Sequence, residues 1–240
     1  MIGLSACAQN HVFDGDYPTP DHKQWSDLLM THVDSAGWIS YKGFVDDSTK
    51  LNAYLRSLSS FPPNSKWSEE EKLAYWINVY NAFTIKLIVD YYPVSSIKEI
   101  KKGVPFINSV WDIEFFEIGG EKVSLNEIEH TILRKDFDEP RIHFAIVCAS
   151  KSCPKLLNKA YDSENLEEQL VLQTKMFLND SSKNVIEEKQ VELSSIFKWF
   201  SKDFTQHGSI KDFIEPYVNQ PFSKSAKVKY LEYDWSLNGE

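Results

Sequence analysis

The stretch CASKSCPKLL places two of the chain's three cysteines, Cys148 and Cys153, five positions apart across a loop of small residues that runs into Pro154. Two thiols so placed allow a short disulfide, a pair of inert buried thiols, or one structural and one reactive cysteine. Cys148 closes an apolar run, where a free cysteine behaves as a small hydrophobe. Cys153 precedes a proline at the predicted start of a helix, where amide donors and the positive end of the helix dipole stabilise a thiolate. Such a thiolate is a nucleophile. Ala149, Ser150 and Ser152 leave room for a substrate, with Ser150 and Ser152 as candidate substrate contacts and amides near Ser152 and Cys153 as oxyanion donors. A Cys148–Cys153 bridge remains open at this point and would silence that chemistry.

A nucleophile needs a base, and His143 and His130 are nearest in sequence. If RIHFAIVC is a strand, His143 and Cys148 lie ~16 Å apart and point to opposite faces, so His143 can serve Cys153 only if residues 149 to 152 fold back. His130 is the reserve. Leu125, Ile128, Ile132 and Leu133 define an apolar helical stripe that contains Glu129, whereas Glu127 points away and serves as a cap. A carboxylate on a buried face needs a cation or an imidazole, so Glu129 either pairs with Arg134 or Arg141 or holds His143 in the tautomer that a catalytic triad requires. Asn78 and Asn81 are amides within an apolar helix; they bond backbone or reach a substrate. No cofactor is expected. His143, Cys148 and Cys153 lack the paired short spacings of a zinc site, so no metal is expected either.

The elements that must position these residues are predominantly helical. HKQWSDLLMTHVD and DDSTKLNAYLRSLSS carry apolar residues at helical spacing. Ser68 and Glu71 form a capping box that opens SEEEKLAYWINVYNAFTIKLIVDYY, apolar nearly all round, central, and ended by Pro93. IEFFEIGGEKVS reads as a hairpin turning at Gly119-Gly120. Ser124 and Glu127 cap LNEIEHTILRK, and RIHFAIVC reads as a buried strand followed by a helix from Pro154. ENLEEQLVLQTKMFLND is helical, VIEEKQVEL a small hairpin, SIFKWFSKDF and SIKDFIEPYV short helices, and VKYLEYDW a closing strand. The predicted fold class is α+β, a helix-rich single domain (residues 21–240) packed on a small, mostly antiparallel sheet.

At 240 residues with 42% hydrophobic and 14% aromatic content the chain can bury a large core. Its net charge of -9 and the lack of a dense Lys/Arg run argue against nucleic acid or an anionic membrane surface as partner. MIGLSAC resembles the lipobox of a bacterial lipoprotein, with residues 1–20 as a flexible tether and the membrane reached only through a lipid on Cys7. On that reading the protein is periplasmic or anchored at the outer membrane, where a disulfide persists.

Three separated motifs, YWINVYNAFTIKLI, VSLNEIEHTILR and RIHFAIVCASKSCPKL, together resemble the bacterial and plant family catalogued as domain of unknown function 547, over a core of about residues 65–180. The arrangement is also similar to a permuted papain-like cysteine peptidase or transferase, with glutamate and histidine preceding the cysteine. What this implies is a cysteine-nucleophile acyl-transfer enzyme, hydrolase or transpeptidase, for a peptide, small amide or thiol peptide such as glutathione: Cys153 attacks, His143 shuttles the proton and Glu129 orients it. The alternative is a non-catalytic module that captures a peptide or small molecule beside a Cys148–Cys153 disulfide.

Overall fold

Trp25, Leu28 and Leu29 fall on one side of the first helical segment, and Leu51, Tyr54, Leu55 and Leu58 on one side of the second. The computed structural model, which describes residues 11–100 and 109–240, forms them as α1 (Lys23–His32) and α3 (Ser48–Ser60), with α2 (Tyr41–Asp46) between. The five α1 and α3 leucines named here and Trp25 are all buried. α1 packs on α3, and α2 and α3 on α4 (Glu69–Tyr91). At the head of α4, Ser68 Oγ accepts from the Glu71 amide while the Glu71 carboxylate accepts from the Ser68 amide. Glu69, Glu70 and Glu71 complement the dipole there. From Leu73 to Ile88 nearly every side chain of α4 is buried, which is why its sequence lacks a polar face.

Phe116–Ile118 (β1) and Glu121–Val123 (β2) form the expected hairpin. Gly119 and Gly120 turn it with φ of +59° and +87°, a conformation that glycine adopts without steric cost. Ser124 caps Leu125–Glu127 (α5), and the helix then widens into a π-helical stretch, Ile128–Leu133, before α6 (Arg134–Asp136). α8 (Leu166–Leu178) follows α7 (Ile142–Ala145) after a long irregular passage. The second sheet pairs Val185–Glu187 (β3) antiparallel to Gln190–Leu193 (β4), and β4 parallel to Lys227–Tyr230 (β5). α9 (Ile196–Trp199), α10 (Ser201–Phe204) and α11 (Ile210–Ile214) lie between β4 and β5. The architecture is α+β and helix-rich. Among the described residues no helix is long and apolar enough to cross a membrane.

Three local expectations are corrected. RIHFAIVC is not a strand: residues 142–145 turn as α7, and residues 146–148 run on irregularly. The backbone there is paired by a side chain instead of a ladder, since Asn81 donates to Ala145 O (2.9 Å) and accepts from Val147 N (2.9 Å). No helix starts at Pro154. Residues 150–152 bond instead to the C-terminal segment, with Lys151 N on Ser236 O and Ser152 N on Asp234 O, so the turn is held open and extended. Finally, residues 11–20 carry no regular structure but are tied down. Phe13 N donates to Pro63 O, His11 bonds Asp136, and Tyr17 O accepts from Asn64 and Trp67. Cys7 and its lipobox lie outside the described residues.

The buried side chains form one large cluster around α1–α5 and a second, smaller one around Phe144, Phe177, Val191, Phe197 and Phe204. Tyr233 packs against both. It belongs to a C-terminal strap, residues 231–240, that crosses the molecule: Leu237 N bonds Ser95 O, Asn238 N bonds Ala149 O, and Asn238 O accepts from Ile39 N.

Candidate functional site

At the junction of the two clusters lies a cavity of about 210 Å³. α4 contributes Tyr80, the π-helical stretch Glu129 and His130, α7 His143, and the loop after it Cys148 and Cys153. Trp111, Trp199, Phe200, Tyr233 and Trp235 complete an aromatic wall. Cys153, His143 and Glu129 therefore share one cavity with the reserve base His130. π-helical turns re-aim side chains out of the regular α-helical phase, and here the turn carries both Glu129 and His130.

Cys148 and Cys153 are joined as a disulfide, with Cα atoms 6.3 Å apart. Of the alternatives left open by the spacing, the structure contains the bridge. Its two sulfurs differ. Cys153 is 3% exposed and Cys148 partly exposed. Cys153 Sγ accepts from the Cys148 amide (3.0 Å) and from Tyr233 OH (3.2 Å), while Ser150 Oγ, itself fully buried, donates to Tyr233 OH (3.1 Å). The sharp turn that brings the Cys148 amide onto Cys153 passes through Ala149 at φ 60°, a left-handed conformation that costs a non-glycine residue about 1–2 kcal/mol.

His143 is 3% exposed and stacks on Phe200, ring centroids 3.9 Å apart. The carboxylate that holds it is Asp203, not Glu129: His143 Nε2 lies 2.8 Å from Asp203 Oδ2. Arg134 grips the same carboxylate, Nε to Oδ2 at 2.6 Å and Nη2 to Oδ1 at 2.9 Å. Burial lowers the His143 pKa, with the Asp203 bond pulling the other way. Burial would raise Asp203, but the bonds from His143 and Arg134 win and hold its carboxyl well below the usual range. With Nε2 donating to Asp203, Nδ1 is the basic nitrogen.

Glu129 accepts from Tyr80 OH at 3.1 Å. Burial pushes its carboxyl up to about 7 against the opposing Tyr80 bond and the Arg134 charge. It is thus a carboxyl that exchanges its proton near neutrality. His130 accepts from Arg134 Nη1 at Nδ1 (2.6 Å), and burial together with that guanidinium lowers its pKa.

The remaining expected site residues are placed elsewhere. Asn78 donates to Tyr161 O (2.8 Å) and accepts from Tyr161 N (3.0 Å), so both it and Asn81 are buried backbone clamps whose polar atoms are engaged. Ser152 Oγ accepts from Asp234 N (2.8 Å), fastening the strap. The amides proposed as oxyanion donors are also engaged: Lys151, Ser152 and Cys153 donate to Ser236 O, Asp234 O and Ser150 O. Cys153 is not at a helix start, so no helix dipole acts on it. Sequence reasoning missed Asp203, Tyr233 and Asn126, the last of which lines the cavity. Among the described residues no group of three or more His, Cys, Asp or Glu could hold a metal ion.

No curated protein and no solved structure matches the chain, and the comparisons give no support to a papain-like relation. A family model described as "Protein of unknown function, DUF547" matches residues 64–178. The match takes in Tyr80, Glu129, His143, Cys148 and Cys153, while Asp203 and the aromatic wall from Trp199 to Trp235 come from outside it. The segment 64–178, which supplies the cysteines and the imidazole of the cavity, is similar to the DUF547 family.

Proposed function

We propose that, once the bridge is opened, this cavity is the active site of a cysteine-nucleophile acyl-transfer enzyme, a hydrolase or transpeptidase for a peptide, small amide or thiol peptide. The observation that carries the reading is that Cys153 shares one aromatic-walled cavity with an imidazole whose Nε2 is fixed by a carboxylate. Cys153 attacks the carbonyl carbon, His143 Nδ1 takes the thiol proton and returns it to the leaving group, and Asp203 fixes the ring tautomer. Glu129, titrating near neutrality on the same wall, is a second proton carrier. Since the loop amides are engaged, oxyanion stabilisation falls to side chains, and Asn126 and Tyr233 supply the donors. The motif order, with the histidine ahead of the cysteine, is what a permuted papain-like enzyme would have. A location outside the cytoplasm, through a lipid on Cys7, fits a chain that keeps a disulfide.

A second reading is a non-catalytic module that binds a small ligand in the cavity, and the bridge favours it because a bridged sulfur has no thiolate. Two measurements separate the readings. A thiol count under denaturing, non-reducing conditions leaves only Cys7 free if the bridge is complete. In the reduced protein, iodoacetamide labelling of Cys153 is followed against pH, in wild type and in His143→Ala. The enzyme reading expects rapid labelling well below pH 8 that is lost in the variant; labelling like that of an ordinary thiol in both proteins leaves the binding module.

A further inference from the structure

The bridge lines the cavity, and its two ends are unequal. Exchange between a thiolate and a disulfide is controlled by which sulfur can be reached and by how well the other leaves as an anion. Cys148 is the reachable sulfur, being partly exposed on the cavity wall, whereas Cys153 is 3% exposed. Cys153 is also the better leaving group. Its sulfur receives the Cys148 amide at 3.0 Å, whereas the Tyr233 and Ser150 hydroxyls lie beside both sulfurs, at 3.2 and 3.3 Å from Cys153 Sγ and at 3.3 and 3.4 Å from Cys148 Sγ. The amide bond is made to an atom that becomes charged only when the bridge breaks, so it strengthens as the reaction proceeds, and Tyr233 is free to turn its proton to the same sulfur. Exchange needs no oxyanion hole, and the loop amides that could have built one are engaged, those of Lys151 and Ser152 by the strap and that of Cys153 by Ser150 O.

We infer that the Cys148–Cys153 bridge is itself reactive and that the cavity carries out thiol–disulfide exchange with a small thiol, which bonds to Cys148 and expels Cys153. The incoming thiol arrives as its thiolate, its proton left in solvent. Its sulfur forms a bond to Cys148 Sγ, the Cys148–Cys153 bond breaks, and the electron pair leaves on Cys153 Sγ. A second thiolate then attacks the sulfur of the bound thiol, releasing a disulfide and leaving Cys148 as thiolate. Two thiols are oxidised to one disulfide and the bridge is reduced to a dithiol. Tyr233 is a positioning residue in this step, acting through Cys153.

The activity stands apart from acyl transfer. It makes a covalent adduct on Cys148, which acyl transfer does not use, and it survives as a trapped adduct when Cys153 is removed, which abolishes acyl transfer. In the test, the full chain is made as Cys153→Ser and as Cys148→Ser, each is incubated with oxidised glutathione, and the adducts are located by peptide mass mapping that separates Cys7 from the loop. The expected result is a stable glutathione adduct on Cys148 in the first protein and a markedly slower or absent adduct on Cys153 in the second. Equal adducts in both, an adduct favouring Cys153, or none at either position overturns the inference. Should either variant fail to fold by circular dichroism, wild type and Tyr233→Phe are compared instead. Reduced glutathione should open the bridge about three- to tenfold more slowly in the variant, and the thiolate absorbance of Cys153 should titrate at higher pH. An unchanged rate together with an unchanged titration overturns the assignment.

Discussion

Asp203 holds two partners at once: its Oδ2 lies 2.8 Å from His143 Nε2 and 2.6 Å from Arg134 Nε. The carboxylate comes from α10 and its partners from α7 and α6, so three short elements meet on it. Asp203→Ala leaves the guanidinium without its counter-charge and the imidazole without its acceptor, and is expected to cost ~3 kcal/mol in urea unfolding. Because the folded-state pKa of Asp203 is depressed, its contribution is complete above the ordinary carboxylate pKa and is lost as pH falls below it. Wild type should lose that stability on acidification, and Asp203→Ala should have little of it to lose.

Glu129 works in the opposite sense. Its folded pKa is raised to about 7, so the folded state prefers the protonated form and its contribution is present at pH 4 and below. Stability then declines as pH rises from the ordinary glutamate value towards 7. Glu129→Gln keeps an acceptor for Tyr80 without the titration. It should match wild type near pH 4 and exceed it at pH 8 by of order 1–3 kcal/mol, read by urea midpoints at the two pH values.

Asn81 substitutes for a neighbouring strand by bonding both Ala145 O and Val147 N. Asn81→Ala orphans a buried donor and a buried acceptor and should cost roughly 2 to 4 kcal/mol. The loss should be accompanied by displacement of His143 relative to Cys148, since the clamped residues lie between them.

Closing a loop of this length restricts the unfolded chain by about 2 kcal/mol. Reduction of the purified protein should therefore lower its unfolding free energy by about 2 kcal/mol without unfolding it, and a Cys148→Ser, Cys153→Ser double variant should be insensitive to reductant. An equal response in that double variant would show that the reductant acts elsewhere.

Trp235 stands between Trp199 (5.7 Å) and Trp111 (5.6 Å), with Lys98 Nζ 3.5 Å from its ring centre. Trp235→Ala removes part of the cavity wall and should accelerate alkylation of Cys148 in the reduced protein severalfold, while leaving the slow labelling of denatured controls unchanged.

The parts of this molecule legible in its sequence are those specified by neighbours along the chain. The Ser68–Glu71 box, the length of α4, the Gly119-Gly120 turn and the Ser124 cap of α5 all follow from spacing. The apolar run at 142–148 was misleading because burial, not period, made it apolar, and its backbone is satisfied by an amide from a helix more than 60 positions earlier. Pro154 was misleading for a related reason, since the bonds that straighten the chain around it come from residues 234–238. Asp203 and Tyr233 had no local signature at all. They are, respectively, an aspartate in a short helix and a tyrosine in an alternating stretch, and only folding brings them to His143 and Cys153.

The strap has a dynamic corollary. Its residues share hydrogen bonds with Ile39, Ser95, Ala149, Lys151 and Ser152, so uncovering the sulfur loop means detaching a belt that also fastens the opening third of the chain. Amide deuteration at Ile39, Lys151, Ser152 and Leu237 should therefore proceed in concert, as one cooperative opening unit in which distant stretches share a single protection factor.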